Sequence, residues 1–412
     1  MAMVMPGSIS VSALQAELAA AMRPVSGAEP VPLRQALNRV LDANLLSPID
    51  VPGHANSAMD GWAFDGSALT QTPLHLQQVG IAYAGHPYAG SITAGECVRI
   101  MTGAVVPEGA DTVVMQEMVT VQGQQVLIPA GQRRGQNVRL AGEDLARGAR
   151  ALAAGTRLRP SHIGLAASLG LTHLSVRRKL RVAVFSTGDE LRAAGDPLVP
   201  GAIYDSNRAM LLGMLEQLGC VATDLGLIPD DTARLEAALR GAIASADLIL
   251  TSGGVSMGDA DPVRLLLAGL GEVRFCKVDM RPGRPFAWGS LSDGSRSSML
   301  FGLPGNPVAA AISFILFVRP ALLQMMGCND TRLPRHTARA ATAIPKKPGR
   351  TEYQRGLLIR QPDGLHVRLT GAQGSGMLSS LCQADCLIVL EEARGDVQPG
   401  EPVEVMPVDG LV

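Results

Sequence analysis

Residues 247–267 read DLILTSGGVSMGDADPVRLLL. The apolar run Leu248-Ile249-Leu250 has the length and aliphatic character of a buried strand, and Val263-Arg264-Leu265-Leu266-Leu267 opens a helix-like stretch. Between them lie two adjacent glycines, two serines, and the carboxylates Asp259 and Asp261. A strand that runs through a Gly/Ser loop into a helix is the repeating unit of a parallel α/β sheet. The loop lacks the Gly-Lys-Ser/Thr ending of a nucleotide-binding P-loop, so any anion it holds is held by other means.

The same rhythm extends in both directions. Strands are expected at 182–185, 221–227, 247–251, 273–278 and 299–302, and helices at 207–218, 231–245, 262–268 and 306–326. Upstream, 11–22 and 33–46 space apolar residues as helices do, until Pro48, Pro52 and Gly53 break the pattern. From there to Leu140 the text is rich in Gly, Thr and Val with short alternating runs, the mark of a small β domain. Helical text returns at 160–169. After Pro334 the stretches 353–359, 366–369, 386–390 and 402–408 alternate, which points to a compact β sandwich or barrel. The fold expected is therefore a multi-domain α/β protein: a central three-layer α/β domain with a parallel-rich sheet at 179–329, an elongated helical N-terminal region formed by 1–50 with 145–178, a β insert at 51–144, and a C-terminal β-barrel at 330–412.

Composition agrees. A chain of 412 residues exceeds one ordinary core, so roughly two to four domains are expected. Apolar residues make up 47% and charged ones 18%, the balance of a globular chain rather than a disordered one. Thirty-six Lys and Arg against 37 Asp and Glu leave a net charge of −1, which argues against a nucleic-acid partner. No stretch reads as apolar enough to span a bilayer, and the start, MAMVMPGSIS, lacks the layout of a secretory signal. No membrane association and a cytoplasmic location are the expectations. Of six scattered cysteines, Cys382 and Cys386 are separated by three residues; they read as half-buried thiols on a strand-rich segment rather than as metal ligands.

Open parallel sheets bind ligands at the carboxyl ends of their strands. Here the strands run into Ser186-Thr187-Gly188-Asp189-Glu190, Pro229-Asp230-Asp231, the opening loop, Asp279-Met280-Arg281-Pro282-Gly283-Arg284, and Leu303-Pro304-Gly305-Asn306-Pro307. All five loops fall on one edge. They bring carboxylates (Glu190, Asp230, Asp259, Asp261), cations (Lys277, Arg281, Arg284) and backbone amides freed by glycines. Carboxylates beside an anion-attracting helix start repel that anion unless a divalent cation sits between them. Each piece has a structural alternative. Asp261-Pro262 and Asp230-Asp231-Thr232 read equally as capped helix starts, Pro-Gly-Asn-Pro as a stiff turn, and Arg281 or Arg284 alone as solvated surface. The convergence of all five loops favours a site.

At these residues the chain resembles the MoeA-type molybdenum insertases, the molybdopterin molybdenumtransferase family that includes the insertase domains of plants and of animal gephyrin. The resemblance spans essentially the whole chain. It is carried by Asn56-Ser57-Ala58-Met59-Asp60-Gly61-Trp62-Ala63, Arg99-Ile100-Met101-Thr102-Gly103-Ala104, Gly142-Glu143-Asp144, Ser186-Thr187-Gly188-Asp189-Glu190-Leu191, Asp205-Ser206-Asn207, the opening loop, Arg281-Pro282-Gly283-Arg284-Pro285 and Gly302-Leu303-Pro304-Gly305-Asn306-Pro307.

The resemblance implies that 179–329 is a molybdopterin-binding domain. It also implies an elongated homodimer with a cleft shared between subunits, and a reaction that joins molybdenum from molybdate to adenylylated molybdopterin with Mg2+-assisted release of AMP. The upstream partner would be the molybdopterin adenylyltransferase. Asp261 matches the position needed for activity and Mg2+, with Glu190 and Asp230 as further metal ligands on the same edge. Asp60, Thr102 and Asp144 match residues that the partner subunit lends. Ser252, Gly253, Gly254, Ser256, Ser206, Asn207, Pro304, Gly305, Asn306 and Pro307 fall in substrate-binding motifs, and Lys277, Arg281 and Arg284 suit phosphate or molybdate. Arg355 and Ser380 match positions linked to molybdate in the plant relative. Two departures stand out: Arg281 and Arg284 replace lysines, exchanging a point charge for a planar fork, and Ala309 replaces a serine. The alternatives are the adenylyltransferase itself, which shares only the 180–330 fold, and a gephyrin-like scaffold without catalysis.

Overall fold

The computed structural model describes residues 3–70, 72–229, 231–253 and 262–412. The chain forms two compact units, one built from Met1–Asp42, Gly155–Arg159 and Leu174–Val412, the other from Ala43–Ala154 and Pro160–His173.

The larger unit is organised by a seven-stranded sheet. Its strands lie in the order Met3–Ile9, Gly271–Val278, Pro285–Ser292, Ser297–Leu303, Leu248–Ser252, Arg181–Thr187, Val221–Ile228. Pro285–Ser292 is antiparallel to both neighbours, and every other pairing is parallel. Six strands therefore point the same way and end on one edge. Two of the seven went unread in the sequence: Pro285–Ser292, whose text Phe286-Ala287-Trp288-Gly289 lacks a strand's β-branched character, and Met3–Ile9.

The period-two alternation of a strand sorts each inner strand's side chains onto two faces. Val182 and Val184 join Leu248, Leu250, Phe301 and Leu303 in one core, sealed by Leu211, Met214, Leu215 and Leu218 of the helix Ser206–Leu218. Ala183, Phe185, Ile249 and Leu300 join the opposite core with Leu235, Leu239 and Ile243 of the helix Thr232–Ser245. Both faces are covered, which gives the three layers expected. At about 1.5–3 kcal/mol for each fully buried aliphatic side chain, these two cores are what hold the sheet in place beneath the loops at its edge.

The run 307–326 is helical but not uniform. It comprises Pro307–Ser313, a widened π turn Phe314–Val318, and Arg319–Met325. Pro320 has no N–H to offer the Leu316 carbonyl, and that carbonyl accepts instead from Gln15 Nε2 at 3.1 Å. Contrary to the sequence expectation, this stretch is apolar enough to span a membrane: Pro307–Met325 has 19 residues and a mean hydropathy of 1.8. With 83% of it buried inside the fold, it is a core helix. The expectation of a helix over 33–46 is also corrected. Only Leu33–Gln35 makes a 3-10 turn. Asn38 then takes a left-handed φ of 63°, and Val40 and Leu41 bridge to Arg157 and Val176. The apolar spacing there serves strand-like contacts, not a helical face.

The C-terminal region closes on itself. The strands Thr351–Gln361, Gly364–Leu369, His336–Ala340, Pro402–Pro407 and Cys386–Leu390 pair in that order, and Thr351–Gln361 pairs also with Cys386–Leu390. The result is a five-stranded barrel around Val367, Ile388, Leu390, Val403 and Val405. The two-residue strand Met280–Arg281 adds to its rim, parallel to Thr351–Gln361.

The smaller unit holds a six-stranded sheet in the order Thr112–Met115, Gly61–Phe64, Glu96–Ile100, Leu74–Ala82, Gln125–Ile128, Thr120–Gln122, and the helix Pro160–Ser168. Its core includes Trp62, Phe64, Val98, Ile100 and Val114. Gly61 is required where it stands, because a Cβ there would overlap the Val114 carbonyl oxygen.

Candidate functional site

In the larger unit the parallel strands deliver Thr187, Ile228, Ser252, Val278 and Leu303 to one edge, each at the end of its strand. The inner loops are tied together below that edge. Asn207, buried in the first turn of the helix Ser206–Leu218, donates from Nδ2 to Ser252 Oγ at 2.8 Å and to the Gly305 carbonyl at 2.7 Å. One side chain thus joins three segments that the sequence separates by up to 98 residues. Among the described residues its Oδ1 is buried without a partner.

The helix carrying Asn207 is itself anchored. Asp205 caps it, accepting from Arg208 N at 3.2 Å, from Arg208 Nε at 2.8 Å and from Ser186 Oγ at 3.2 Å. Asp205 and Ser186 therefore fix Asn207 against the end of the Arg181–Thr187 strand. Asp205 stood in a recognised motif but was not singled out as a site residue; its position immediately before a helix start was the available signal.

Backbone approach is close on this edge. Gly253 adopts φ +89°, and a Cβ on it would lie 2.6 Å from the Thr187 carbonyl oxygen. Its N–H bonds to the Leu303 carbonyl at 3.2 Å. Pro304 follows that strand, Asn306 is the N-cap of Pro307–Ser313 without a side-chain cap bond, and Pro307 occupies the first turn. Gly305 has open space where a Cβ would point.

The carboxylates divide. Glu190 is exposed, and its carboxylate folds back over its own loop, Oε2 lying 2.7 Å from where a Cβ on Gly188 would be. Asp231 caps the helix Thr232–Ser245 by accepting from Arg234 N at 2.8 Å. Asp230, Gly254, Ser256 and Asp261 lie outside the described residues, so Glu190 alone of the three expected metal ligands can be placed. Among the described residues no group of three His, Cys, Asp or Glu is arranged to hold a metal.

The cations lie next to one another in the chain, Lys277 near the end of the strand Gly271–Val278 and Arg281 and Arg284 just after it. Lys277, Arg281 and Arg284 are all exposed. The turn between the last two is set by Gly283 at φ +103°, where a Cβ would meet Ser313 Oγ at 2.8 Å, and its base by the Val278 N–H, which bonds to the Arg284 carbonyl at 2.7 Å. Arg281 Nη1 lies 3.9 Å from Glu352 Oε1 of the barrel.

Arg355 differs from these three. It is wholly buried. Its guanidinium donates to the carbonyls of Ala372, Gln373 and Gly374 at 3.3, 3.2 and 3.0 Å and to Ser380 Oγ at 3.2 Å. Ser380 in turn lies 2.8 Å from Thr370 Oγ1. Burial holds the guanidinium pKa below its ordinary value. Arg355 and Ser380 are thus brought together, and the 372–374 loop that they organise, Gln373 above all, was not read from the sequence.

In the smaller unit, Asp60 and Thr102 meet. Asp60 Oδ1 accepts from Thr102 N at 2.7 Å and from Thr102 Oγ1 at 2.8 Å. The backbone bond and then the hydroxyl bond hold this carboxyl below the usual range. Asp144 is exposed on a turn pinned to the Val51 and Pro52 carbonyls by Asp144 N and Gly142 N, both at 3.0 Å. The cysteines offer no chemistry here. Burial pushes Cys97, Cys220 and Cys386 up to about 12 and Cys276 and Cys328 up to about 11. Cys382 is exposed on a short helix while Cys386 is buried in a strand, so the two are not the matched half-buried pair expected.

This arrangement, loops at the parallel edge of a three-layer sheet beside a small barrel, has close counterparts. Residues 9–170 match the MoeA N-terminal region (domain I and II), 183–324 a probable molybdopterin binding domain, and 337–408 the MoeA C-terminal region (domain IV). The molybdopterin molybdenumtransferase of Haemophilus influenzae is 41% identical over 383 residues, 92% of this chain and 94% of its own. Molybdopterin molybdenumtransferase 2 of Mycobacterium tuberculosis is 36% identical, over 95% and 96% of the two chains. The crystal structure of the molybdopterin biosynthesis moeA protein from Pyrococcus horikoshii superposes with a TM-score of 0.83 at 27% identity, covering 97% of this chain and 100% of that one. The chain belongs to the MoeA family of molybdopterin molybdenumtransferases.

Proposed function

We propose that the chain inserts molybdenum from molybdate into adenylylated molybdopterin, with Mg2+-dependent release of AMP, to give molybdenum cofactor. The observation that carries this reading is the bridge from Asn207 to Ser252 and Gly305. It ties two Gly/Ser/Pro-rich segments to the first turn of the helix Ser206–Leu218 at the carboxyl edge of the sheet, in a chain that matches molybdenumtransferases along its length.

The roles follow from chemistry. Gly253 lets its loop pass close to the Thr187 carbonyl, as a Cβ there would not, and the open space beside Gly305 leaves room for a pyrophosphate at that edge. Lys277, Arg281 and Arg284 stand exposed beside that edge, where they attract the dianionic molybdate and the phosphate oxygens. Arg281 and Arg284 each present a fork suited to two oxyanion oxygens at once. Arg355 acts by shape: with its donors committed to Ala372, Gln373, Gly374 and Ser380 Oγ, it sets the 372–374 loop beside Ser380.

Mg2+ would be held by a few protein carboxylates together with water and substrate phosphate oxygens. The exposed Glu190 at the strand edge fits that modest demand, and Asp230 and Asp261 are proposed to complete it. When bound, the ion supplies charge neutralisation to the pyrophosphate. Asp60, Thr102 and Asp144 are proposed to act from the partner subunit of a homodimer. In this reading the four-part division at residues 50, 144, 178 and 329 holds, the protein works in the cytoplasm, and the adenylyltransferase supplies its substrate. The test is to incubate the purified chain with adenylylated molybdopterin, omitting molybdate or Mg2+ in turn. AMP released only when both are present supports the reading; AMP release indifferent to both sinks it.

A further inference from the structure

The C-terminal barrel has one short seam. Its strands His336–Ala340 and Gly364–Leu369 pair only at Arg339 with His366 and Ala340 with Val367. Among the described residues, His336 therefore faces no strand on that side. At this mouth lies a cavity of about 1090 Å3, walled also by the short helix Leu378–Cys382 and by Met210 of the helix Ser206–Leu218. None of its lining residues has a part in the roles above.

The lining is aliphatic. Leu358, Leu365, Leu378, Leu381 and Val408 supply most of it, and no Phe, Tyr or Trp lines it among the described residues. Two basic residues interrupt this surface, and the strand register places both on the inward face. Leu358 stands opposite Val367 of the barrel core, and Arg360, two residues on, stands opposite Leu365. His336 stands opposite Val405 and two residues before Ala338, both of that core. Arg360 and His336 are exposed at the mouth, and among the described residues no side-chain hydrogen bond or ion pair engages either. The nearby carboxylates differ. Asp385 is occupied, accepting from Leu358 N at 2.8 Å, and Asp409 is exposed after the strand Pro402–Pro407.

A cavity in the mouth of a barrel, apolar inside and with few polar groups at its rim, has the form of a small-molecule site. An uncommitted guanidinium at that rim is complementary to a carboxylate. The aliphatic walls suit a flexible alkyl chain, and they offer no ring on which a flat heterocycle would stack. We propose that this cavity binds a medium-chain aliphatic carboxylate, its chain among Leu358, Leu365, Leu378 and Leu381 and its head group met by Arg360 and His336.

Cys382 lines the cavity and is the one exposed cysteine of the six, so its alkylation reports occupancy. The full chain is titrated with octanoate, octanol and octylamine. Calorimetry gives the affinities, and mass spectrometry follows iodoacetamide labelling of Cys382. Octanoate is expected to slow the labelling and to bind more tightly than octanol, with octylamine the weakest. Arg360→Ala, at an exposed position, is expected to weaken octanoate about tenfold or more, the loss of one charge-assisted hydrogen bond, and to leave octanol unchanged. Arg360→Glu is expected to reverse the order and place octylamine above octanoate. Labelling of Cys382 unaffected by octanoate overturns the proposal. So does octanoate bound no better than octanol, or bound equally well by both Arg360 variants.

Discussion

Asn207 Nδ2 lies 2.8 Å from Ser252 Oγ, and the same nitrogen reaches the Gly305 carbonyl at 2.7 Å. Removing that amide leaves a buried hydroxyl and a carbonyl unpaired at the edge of the sheet. Asn207→Ala is expected to lower stability by about 1–3 kcal/mol and to cost more activity than stability, because the two loops lose their common tether. Urea unfolding beside a transfer assay separates the two effects.

Gly253 and Gly305 make a matched pair. Gly253→Ala forces a Cβ to within 2.6 Å of the Thr187 carbonyl at φ +89°, a strain of about 1–3 kcal/mol. Gly305→Ala meets open space and is expected to shift stability by less than about 0.5 kcal/mol. Thermal unfolding of the two variants is the measurement, and equal losses would contradict the geometry.

Asp60 is held ionised by Thr102. A carboxyl whose folded pKa is depressed contributes stability at pH above its unfolded value, and that contribution is lost as pH falls through the lower folded value. Thr102→Val keeps the backbone donor and removes the hydroxyl, so the Asp60 pKa is expected to rise part of the way to normal. Carboxyl NMR titration reads this directly, and an unmoved Asp60 would show that the hydroxyl does not matter.

Arg355 spends its donors on the carbonyls of Ala372, Gln373 and Gly374. Lysine cannot reproduce that fork. Arg355→Lys is expected to cost about 2–4 kcal/mol through carbonyls left unpaired and to open the 371–376 segment to proteolysis. Limited digestion with and without the substitution checks it.

The α/β core was legible because each buried strand is a compact apolar run and each flanking helix repeats at helical spacing, as around Leu248–Ser252 and Ser206–Leu218. The 33–46 helix failed for the opposite reason. Its apolar residues sit at helical spacing, but Asn38 takes a left-handed φ, and Val40 and Leu41 pair with distant segments, which local text cannot announce. The strand Pro285–Ser292 was missed because it is specified by its two neighbours more than by its own residues. Site motifs were readable as strings, and strand direction placed their loops on one edge. The contacts that organise them, Asn207 to Gly305 across 98 residues and Arg355 to Gln373 across 18, have no local signature and emerge only in three dimensions.

The most direct test of the central claim follows molybdenum and AMP together. The chain is incubated with adenylylated molybdopterin, molybdate and Mg2+, and released AMP is quantified beside the activity of a cofactor-free molybdoenzyme reconstituted from the mixture. AMP and active cofactor rising together in the unaltered chain, and both lost in a folded Asp261→Asn variant, is the expected result. No AMP and no active cofactor from the unaltered chain, or full turnover by Asp261→Asn, would contradict it.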